Sequence, residues 1–165
     1  MVVGKTPTYG DDRESRAWVG ANAAWFRHLM RQIGIPDTDV HYTYIIKCCP
    51  PWKRGVYANN EPPPFAIEAC RKYLVGEIEA VDPELIVAVG APVMKWFGVK
   101  GGIHQNAGRE FDTEYGLVIP VIDPAGIMKR MNEAPMLVTQ LNALVTSLRG
   151  PDTVSPWTDS FDVPE

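Results

Sequence analysis

Cysteine and long apolar runs are both scarce in this sequence. Its 165 residues include three cysteines, and an odd number of cysteines without a secretory leader argues against a disulfide framework. No apolar run approaches the ~20 residues that are needed to cross a bilayer, and no basic-then-apolar segment opens the chain. The sequence therefore predicts a cytoplasmic protein that does not interact with a membrane.

Net charge is also missing from the body of the chain. The overall charge of −4 comes from residues 150–165, which contain four acidic and no basic side chains. Residues 1–149 are therefore neutral, which excludes a surface that is basic all over. Local basic patches remain possible. The candidate residues for binding nucleic-acid phosphates are Lys47, Lys53, Arg54, Lys129 and Arg130.

Apolar strands alternate with amphipathic helices along residues 1–149. Strands are predicted in "MVVG", "HYTYIIK", "ELIVAVG" and "GLVIPVID", most of which are rich in β-branched or aromatic residues. Helices are predicted at 21–33, at 65–81, in "APVMKWFG" and around 137–148, mainly because apolar residues there recur at helical spacing. This alternation predicts an α/β fold, a three-layer α/β/α sandwich with a central, mainly parallel four-stranded sheet.

The chain divides into a domain at residues 1–149 and a tail at residues 150–165. Proline marks the break, and the tail alternates acidic side chains with Trp157 and Phe161, a composition that cannot form a core. We expect this tail to be a flexible, solubilising end, to bind a partner, or to occupy the protein's own groove. In the groove its carboxylates would take phosphate positions.

Binding sites in parallel sheets gather at the carboxyl ends of the strands. Four segments occupy that edge in the predicted topology, at residues 4–9, 47–51, 90–92 and 123–126. Residues 5–20 are expected to form a long loop over the same edge. The functional site is therefore predicted there.

Five pieces of sequence follow one another in the order of a known set of motifs. They are "VVGKTPT", "AWVGANAAWF", "YIIKCCPP", "DPELIVAVGAPVMKWFG" and "IDPAGIMKR". Together they resemble the uracil-DNA glycosylase superfamily, and most closely its family-4 type, which includes glycosylase-like domains associated with phage DNA polymerases. The resemblance covers about residues 1–149. It implies single- or double-stranded DNA as the partner, in a bacterial or infected-cell cytoplasm.

Cys48 and Cys70 stand where this family places two of the four cysteine ligands of an iron–sulfur cluster. Cys49 replaces the arginine of the family's K-C-R-P-P motif, and the other two ligands belong to a CxxC segment that this sequence lacks. Since such a cluster needs four thiolates and zinc also needs a fourth ligand, we predict no metal and no cofactor. The cysteines are then packing residues, and Cys70 is expected to be buried close to Cys48.

The resemblance also implies which residues bind the substrate. Trp18 stands at the phenylalanine that stacks on the flipped base, where an indole can stack as well, although packing in the core is the alternative. Tyr44 stands at the asparagine that recognises uracil, but one hydroxyl cannot match both O4 and N3–H of uracil. Pro7 and Pro124, the prolines of the first and last motifs, complete this set.

The catalytic positions depart most from the family pattern. Lys5 stands at the water-positioning glutamate and Thr6 follows it, and neither is a ready general base near neutral pH. The acidic pair Asp11–Asp12 in the same loop could substitute. Asp123 stands at the histidine that stabilises the departing base, where a carboxylate would repel a uracil anion. Asp123 could help only if it were protonated, or if the base presented a donor such as an amino group. His104 is the nearest alternative histidine.

Three functions are compatible with these differences. The first is a glycosylase-like protein that has lost uracil excision and acts as a DNA- or protein-binding module in replication or repair, with a replication protein as a possible partner. The second is an active DNA glycosylase with altered base specificity, which would use Asp123, Tyr44 and Trp18. The third is a nucleotide-binding protein that reuses the pocket. Because function depends on the site rather than on the fold, the sequence favours the first only modestly.

Overall fold

A computed structural model describes residues 1–49, 62–129 and 134–150. The strands are β1 (Val2–Gly4), β2 (Tyr42–Tyr44), β3 (Ile86–Val89), β4 (Phe111–Thr113) and β5 (Gly116–Val121). The helices are α1 (Tyr9–Glu14), α2 (Ala21–Gln32), α3 (Pro64–Val81), α4 (Ala91–Trp96), α5 (Ile103–Asn106), α6 (Pro124–Ile127) and α7 (Ala134–Arg149), with a 3-10 turn at Asp37–Asp39. The predicted strands and helices are all present.

The strands form one sheet in the order β2-β1-β3-β5-β4. The first four pair in parallel, and β4 pairs with β5 antiparallel. The sheet therefore has one strand more than the sequence predicted. The extra strand β4 is three residues long and alternates between half-buried and exposed residues, so it lacks the apolar run that identifies the inner strands.

Both faces of the sheet are covered, as the sequence predicted. Side chains alternate between the two faces along a strand, so Val87 and Val89 belong to one core cluster while Ile86 and Ala88 belong to another. Helices α2, α6 and α7 supply the partners of Val87 and Val89. Helices α3 and α4 supply those of Ile86 and Ala88. The three-layer α/β/α arrangement is confirmed.

The segment at residues 5–20 is not entirely a loop. It contains α1, which begins after Thr8 with a capping box. In this motif the Thr8 hydroxyl accepts a hydrogen bond from Asp11 N–H, and the Asp11 carboxylate accepts one from Thr8 N–H. The reciprocal bonds satisfy donors that the first helical turn leaves unpaired, and they hold a short helix over the carboxyl edge of the sheet.

Some predictions fall outside the described residues. They include those for Lys53, Arg54 and Arg130, and those for the tail at 150–165 apart from Gly150. Within the described ranges, none of the helices has the length and apolar character that a membrane span requires.

Candidate functional site

A cavity of about 660 Å³ opens at the carboxyl edge of the sheet. Residues at the ends of β1, β2 and β3 line it, together with parts of α1, α2 and α6. Six of the predicted site residues meet here: Lys5, Thr6, Trp18, Tyr44, Asp123 and Pro124. Pro7 is the exception. It is buried and lines a neighbouring, smaller cavity together with Asp11 and Lys47.

Asp11 is the most fully hydrogen-bonded side chain at this site. Its carboxylate is 4% exposed and accepts four hydrogen bonds. The donors are Thr8 N–H at 2.6 Å, the Thr8 hydroxyl at 2.7 Å, Val19 N–H at 2.8 Å and the Tyr44 hydroxyl at 3.0 Å. Burial by itself would raise the pKa of Asp11, but these hydrogen bonds to the charged form outweigh it and hold the pKa below its ordinary value. The Asp11 carboxylate is therefore ionised, and its hydrogen bonds hold α1 and the segment that follows it. It is poorly suited to act as a general base.

Tyr44 joins the Asp11 carboxylate to the backbone of Trp18. The Tyr44 hydroxyl donates to Asp11 Oδ2 and accepts from Trp18 N–H at 2.9 Å. Burial raises the pKa of Tyr44 well above its usual range, and the neighbouring Asp11 charge adds to this effect while the Trp18 N–H opposes it. The phenol therefore stays neutral, and its one proton is already donated to Asp11. It has no free donor for the edge of a base.

Trp18 packs in the core, which was the alternative to base stacking. Its side chain is 6% exposed, and its indole lies parallel to the Tyr44 ring with an interplanar angle of 7° and 5.9 Å between ring centroids. The indole N–H donates to Thr43 O at 3.0 Å. Phe26 packs against the same indole, with 5.3 Å between centroids. The edge of Trp18 reaches the cavity, while Tyr44 supplies the parallel ring beside it.

The backbone of Trp18 has φ = +62°, in the left-handed region, which costs free energy for a non-glycine residue. Arg27 compensates from α2. Its guanidinium donates to Ala17 O and Trp18 O, at 3.1 Å each, and stacks over the Tyr42 ring. These bonds fix the short connection between α1 and α2, so the wall of the cavity is held from several sides.

Gly4 makes the parallel ring pair possible. A Cβ atom at this position would lie 2.8 Å from Trp18 Cζ2 and 2.9 Å from Tyr44 Cδ1, closer than real Cβ atoms approach such groups. The last residue of β1 must therefore lack a side chain. The glycine of "VVGK" is explained by this close approach of two aromatic rings.

Asp123 is the N-cap residue of α6 and also lines the cavity. Its Oδ1 accepts a hydrogen bond from Ala125 N–H at 2.9 Å, which caps the helix. No hydrogen bond from the described residues reaches Oδ2. Asp123 also lies beside Gly90, the residue that follows β3 and has φ = +89°. The half-buried carboxylate is thus fixed through one oxygen while the other keeps its capacity to accept a donor.

Lys5 and Thr6 follow the end of β1 and also line the cavity. Both are half-buried. The Lys5 carbonyl accepts Ile46 N–H at 3.2 Å, which ties its backbone to the segment after β2. By contrast, His104 is exposed in α5 and is not among the residues that line the cavity.

The family model of the uracil DNA glycosylase superfamily matches residues 1–145, which include β1 to β5 and every residue of the cavity. This chain belongs to that superfamily. The match confirms the resemblance inferred from the five ordered motifs.

Several members of the superfamily are similar to this chain. A Type-4 uracil-DNA glycosylase of Thermotoga maritima is 32% identical over 144 residues, which make up 85% of this chain and 72% of that protein. One of Archaeoglobus fulgidus is 34% identical over 90 residues, 54% of this chain and 42% of that protein. A DNA polymerase of Bacillus phage SP01 is 26% identical over 151 residues, 91% of this chain but 16% of the polymerase. The chain therefore spans only part of the length of these relatives.

The iron–sulfur cluster implied by the resemblance to family-4 glycosylases does not fit the cysteines of this superfamily member. The chain has three cysteines, one fewer than the four thiolates of such a cluster. In the described ranges, no group of three or more His, Cys, Asp or Glu side chains is placed to hold a metal. The absence of a cofactor stays a prediction.

The expected burial of Cys70 is wrong. Cys70 is half-buried, and its sulfur accepts Lys47 N–H at 3.5 Å, while Cys48 is exposed. The reason is that Cys70 contacts Lys47, in the segment that follows β2, rather than the middle of the sheet. Leu74 and Ile78, further along the apolar face of α3, are buried.

Two of the predicted phosphate-binding residues of this glycosylase-superfamily domain lie in the described ranges. The Lys47 ammonium donates to Thr43 Oγ1 at 2.6 Å and to Glu77 Oε2 at 2.9 Å. Burial would raise the pKa of Glu77, but its hydrogen bonds and the Lys47 charge lower it below the ordinary value. Lys47 therefore links β2 to α3. Lys129 is exposed just after α6 and makes no ion pair within the described part of the chain.

Sequence reasoning missed the structural role of Asp11 and the contribution of α2. Asp11 was considered only as a substitute base, although Thr8 and Asp11 have the spacing of a capping box, which could have identified α1. The first residues of α2, Ala21 to Ala23, line the cavity. The helical spacing of Phe26, Leu29, Met30 and Ile33 predicted the helix but not that its beginning faces the site.

Proposed function

We propose that this protein is a DNA glycosylase that releases a base bearing an exocyclic amino group rather than uracil. The observation that supports this most is the Asp123 carboxylate. It lines the cavity, is fixed through Oδ1, and has Oδ2 without a hydrogen-bond donor from the described residues. A carboxylate only accepts hydrogen bonds, so the group on the base that faces it must be a donor.

Uracil is a poor match to the other polar groups of this site. Recognition of its O4 and N3–H requires a donor and an acceptor together, which an amide supplies. The Tyr44 hydroxyl cannot take over this role, since it donates to Asp11 and accepts from Trp18 N–H. An amino-bearing pyrimidine instead offers an N–H donor in place of O4, which suits the acceptor on Asp123.

The reaction would hydrolyse the bond between the base nitrogen and C1′ of deoxyribose. Water adds its oxygen to C1′, and a proton accompanies the departing base. Positive charge develops on the sugar as the bond lengthens, while the Asp123 carboxylate would hold the exocyclic amino group at the other end of the base. The Thr6 hydroxyl on the cavity wall could hold the attacking water, because a hydroxyl both donates and accepts hydrogen bonds.

The substrate is proposed to be DNA because the relatives from Thermotoga maritima and Archaeoglobus fulgidus are named Type-4 uracil-DNA glycosylases. A base must leave the stack before it can enter such a cavity. We therefore propose single-stranded DNA as the first substrate to test. Unpaired bases need less free energy to be extruded than paired ones.

The test is a base-release assay on single-stranded oligonucleotides that contain uracil, hypoxanthine or 5-hydroxycytosine. We expect the protein to release the amino-bearing base, and Asp123→Ala to lower that rate by about 10- to 100-fold, because a hydrogen bond to a charged group contributes about 1.5–3 kcal/mol. Asp112→Ala is the matched control, because Asp112 is an exposed carboxylate on β4.

Efficient release of uracil together with no release of 5-hydroxycytosine would overturn the proposed specificity. An equal effect of Asp112→Ala and Asp123→Ala would overturn the proposed role of Asp123. The released base is identified by mass spectrometry, so that spontaneous strand damage is not counted as activity.

A second candidate function is a binding module without glycosylase activity. Two observations favour it. Lys5 stands at the position of the water-positioning glutamate, and a stretch that makes up 91% of this chain is similar to a part of a phage DNA polymerase. Under this hypothesis no base is released from any oligonucleotide, but single-stranded DNA still binds. Lys129→Ala would then make the plot of the logarithm of the DNA-binding constant against the logarithm of the salt concentration less steep by about 0.7. This is the value for one phosphate contact on a single strand.

A further inference from the structure

Lys5 is the basic side chain that lines the cavity within the described part of the chain. Its backbone is fixed by the end of β1 on one side and by the hydrogen bond from Ile46 N–H on the other. No carboxylate of the described residues lies within ion-pair distance of its ammonium. Lys5 is half-buried, and its ammonium has no hydrogen-bond or ion-pair partner among the described residues.

Neither of the two carboxylates that line the cavity forms an ion pair with Lys5. Asp11 accepts four hydrogen bonds, from Thr8, Val19 and Tyr44. Asp123 uses Oδ1 to cap α6. Lys47 provides a contrast, since its ammonium is bound by Thr43 and Glu77. Lys5 is thus available for chemistry, whereas Lys47 is held by a structural ion pair.

We propose that Lys5 forms an imine with C1′ of an abasic deoxyribose in this cavity. The inference rests on the proposed function, because that function places deoxyribose here and leaves an abasic sugar as its product. The ring-opened form of this sugar has an aldehyde at C1′, and lysine amines condense with carbonyl groups. Retention of the sugar on Lys5 would keep a reactive abasic site covered after the base has left.

The step balances without an oxidant or a reductant. The Lys5 ammonium first gives one proton to solvent, and the neutral nitrogen then attacks C1′. The N–C1′ bond forms, the aldehyde oxygen takes up the protons and leaves as water, and a C1′=N bond results. Hydrolysis returns the free lysine and the aldehyde, so the adduct is reversible until it is reduced.

The experiment supplies the abasic site directly. The full chain is mixed with a single-stranded oligonucleotide that contains one abasic site, sodium cyanoborohydride is added, and the one-to-one adduct is separated on a denaturing gel. We expect Lys5→Arg, which keeps the charge but cannot form the imine, to reduce the adduct by at least about tenfold, because the guanidinium is not a carbonyl nucleophile. Lys95→Arg is the matched control, since Lys95 is an exposed lysine on α4.

Peptide mass spectrometry of the reduced adduct should locate the added sugar on Lys5. No adduct, an adduct on another amine, or an adduct unchanged by Lys5→Arg would overturn the inference. Circular dichroism establishes that Lys5→Arg is folded. Because the oligonucleotide is already abasic, trapping at Lys5 without base release from any oligonucleotide would contradict only the proposed function. Base release without trapping would contradict only the imine.

Discussion

The Tyr44 hydroxyl donates a hydrogen bond to the Asp11 carboxylate at 3.0 Å across 33 residues of sequence. This bond connects the end of β2 to the capping box of α1. Through Trp18 N–H, which donates to the same hydroxyl, it also fixes the connection to α2. Two residues that could have taken part in base recognition and water activation therefore hold the wall of the cavity.

Removal of this hydroxyl should destabilise the fold more than removal of a similar one nearby. Tyr44→Phe leaves Trp18 N–H without an acceptor and takes one donor from Asp11, so we expect a loss of about 1–3 kcal/mol in the free energy of unfolding, the cost of an unpaired buried group. Tyr42→Phe is the control. Its hydroxyl donates to Asp37, which keeps its bond from Arg31. Equal losses for the two variants in urea denaturation would contradict this account.

Asp11→Asn should lower stability more at neutral pH than in acid. The folded-state pKa of Asp11 is below its ordinary value, so its contribution is present above the unfolded-state pKa of about 3.9 and is lost as the pH falls through the folded-state pKa. We expect a loss of about 1–3 kcal/mol at pH 7, and a smaller difference from the unmodified protein below about pH 4.

Asp12→Asn is the control for this pH series. Asp12 is the exposed neighbour of Asp11 in α1, and surface substitutions of this kind usually change stability by less than about 0.5 kcal/mol. A difference for Asp11→Asn that stays constant between pH 7 and pH 3 would show that the ionised carboxylate is not what stabilises the capping box.

The sequence predicted the sheet and its functional edge better than it predicted the contacts within the site. The run before Gly90 is apolar at every position, as a central parallel strand requires, and β3 lies there. The parallel stacking of Trp18 and Tyr44 depends instead on residues that are 26 positions apart and on a left-handed φ at Trp18. No local periodicity encodes either feature. The resemblance of the motifs places both residues at the site, but it does not predict the hydrogen bond that removes Tyr44 from base recognition.

Gly4→Ala should disrupt the same ring pair from the sheet side. The added methyl group would lie within 3 Å of both Trp18 and Tyr44, so one ring must move, and overpacking of this kind costs about 1–3 kcal/mol. Gly76→Ala is the matched control, because no atom lies within 4 Å of a Cβ at that position on α3. There the change should stabilise the helix by about 0.5–1 kcal/mol. Thermal unfolding of the two variants should therefore shift in opposite directions, and a shared direction would contradict the packing argument.

The most direct test of the proposed specificity compares 5-hydroxycytosine with 5-hydroxyuracil in otherwise identical single-stranded oligonucleotides. These bases differ in having an amino group or an oxygen at C4, the feature that the Asp123 carboxylate is proposed to distinguish. We expect the unmodified protein to release the amino-bearing base at least about tenfold faster, and Asp123→His to reverse that preference, since unpaired polar groups discriminate strongly between such substrates. Faster release of 5-hydroxyuracil by the unmodified protein, or the same preference in both proteins, would contradict the account.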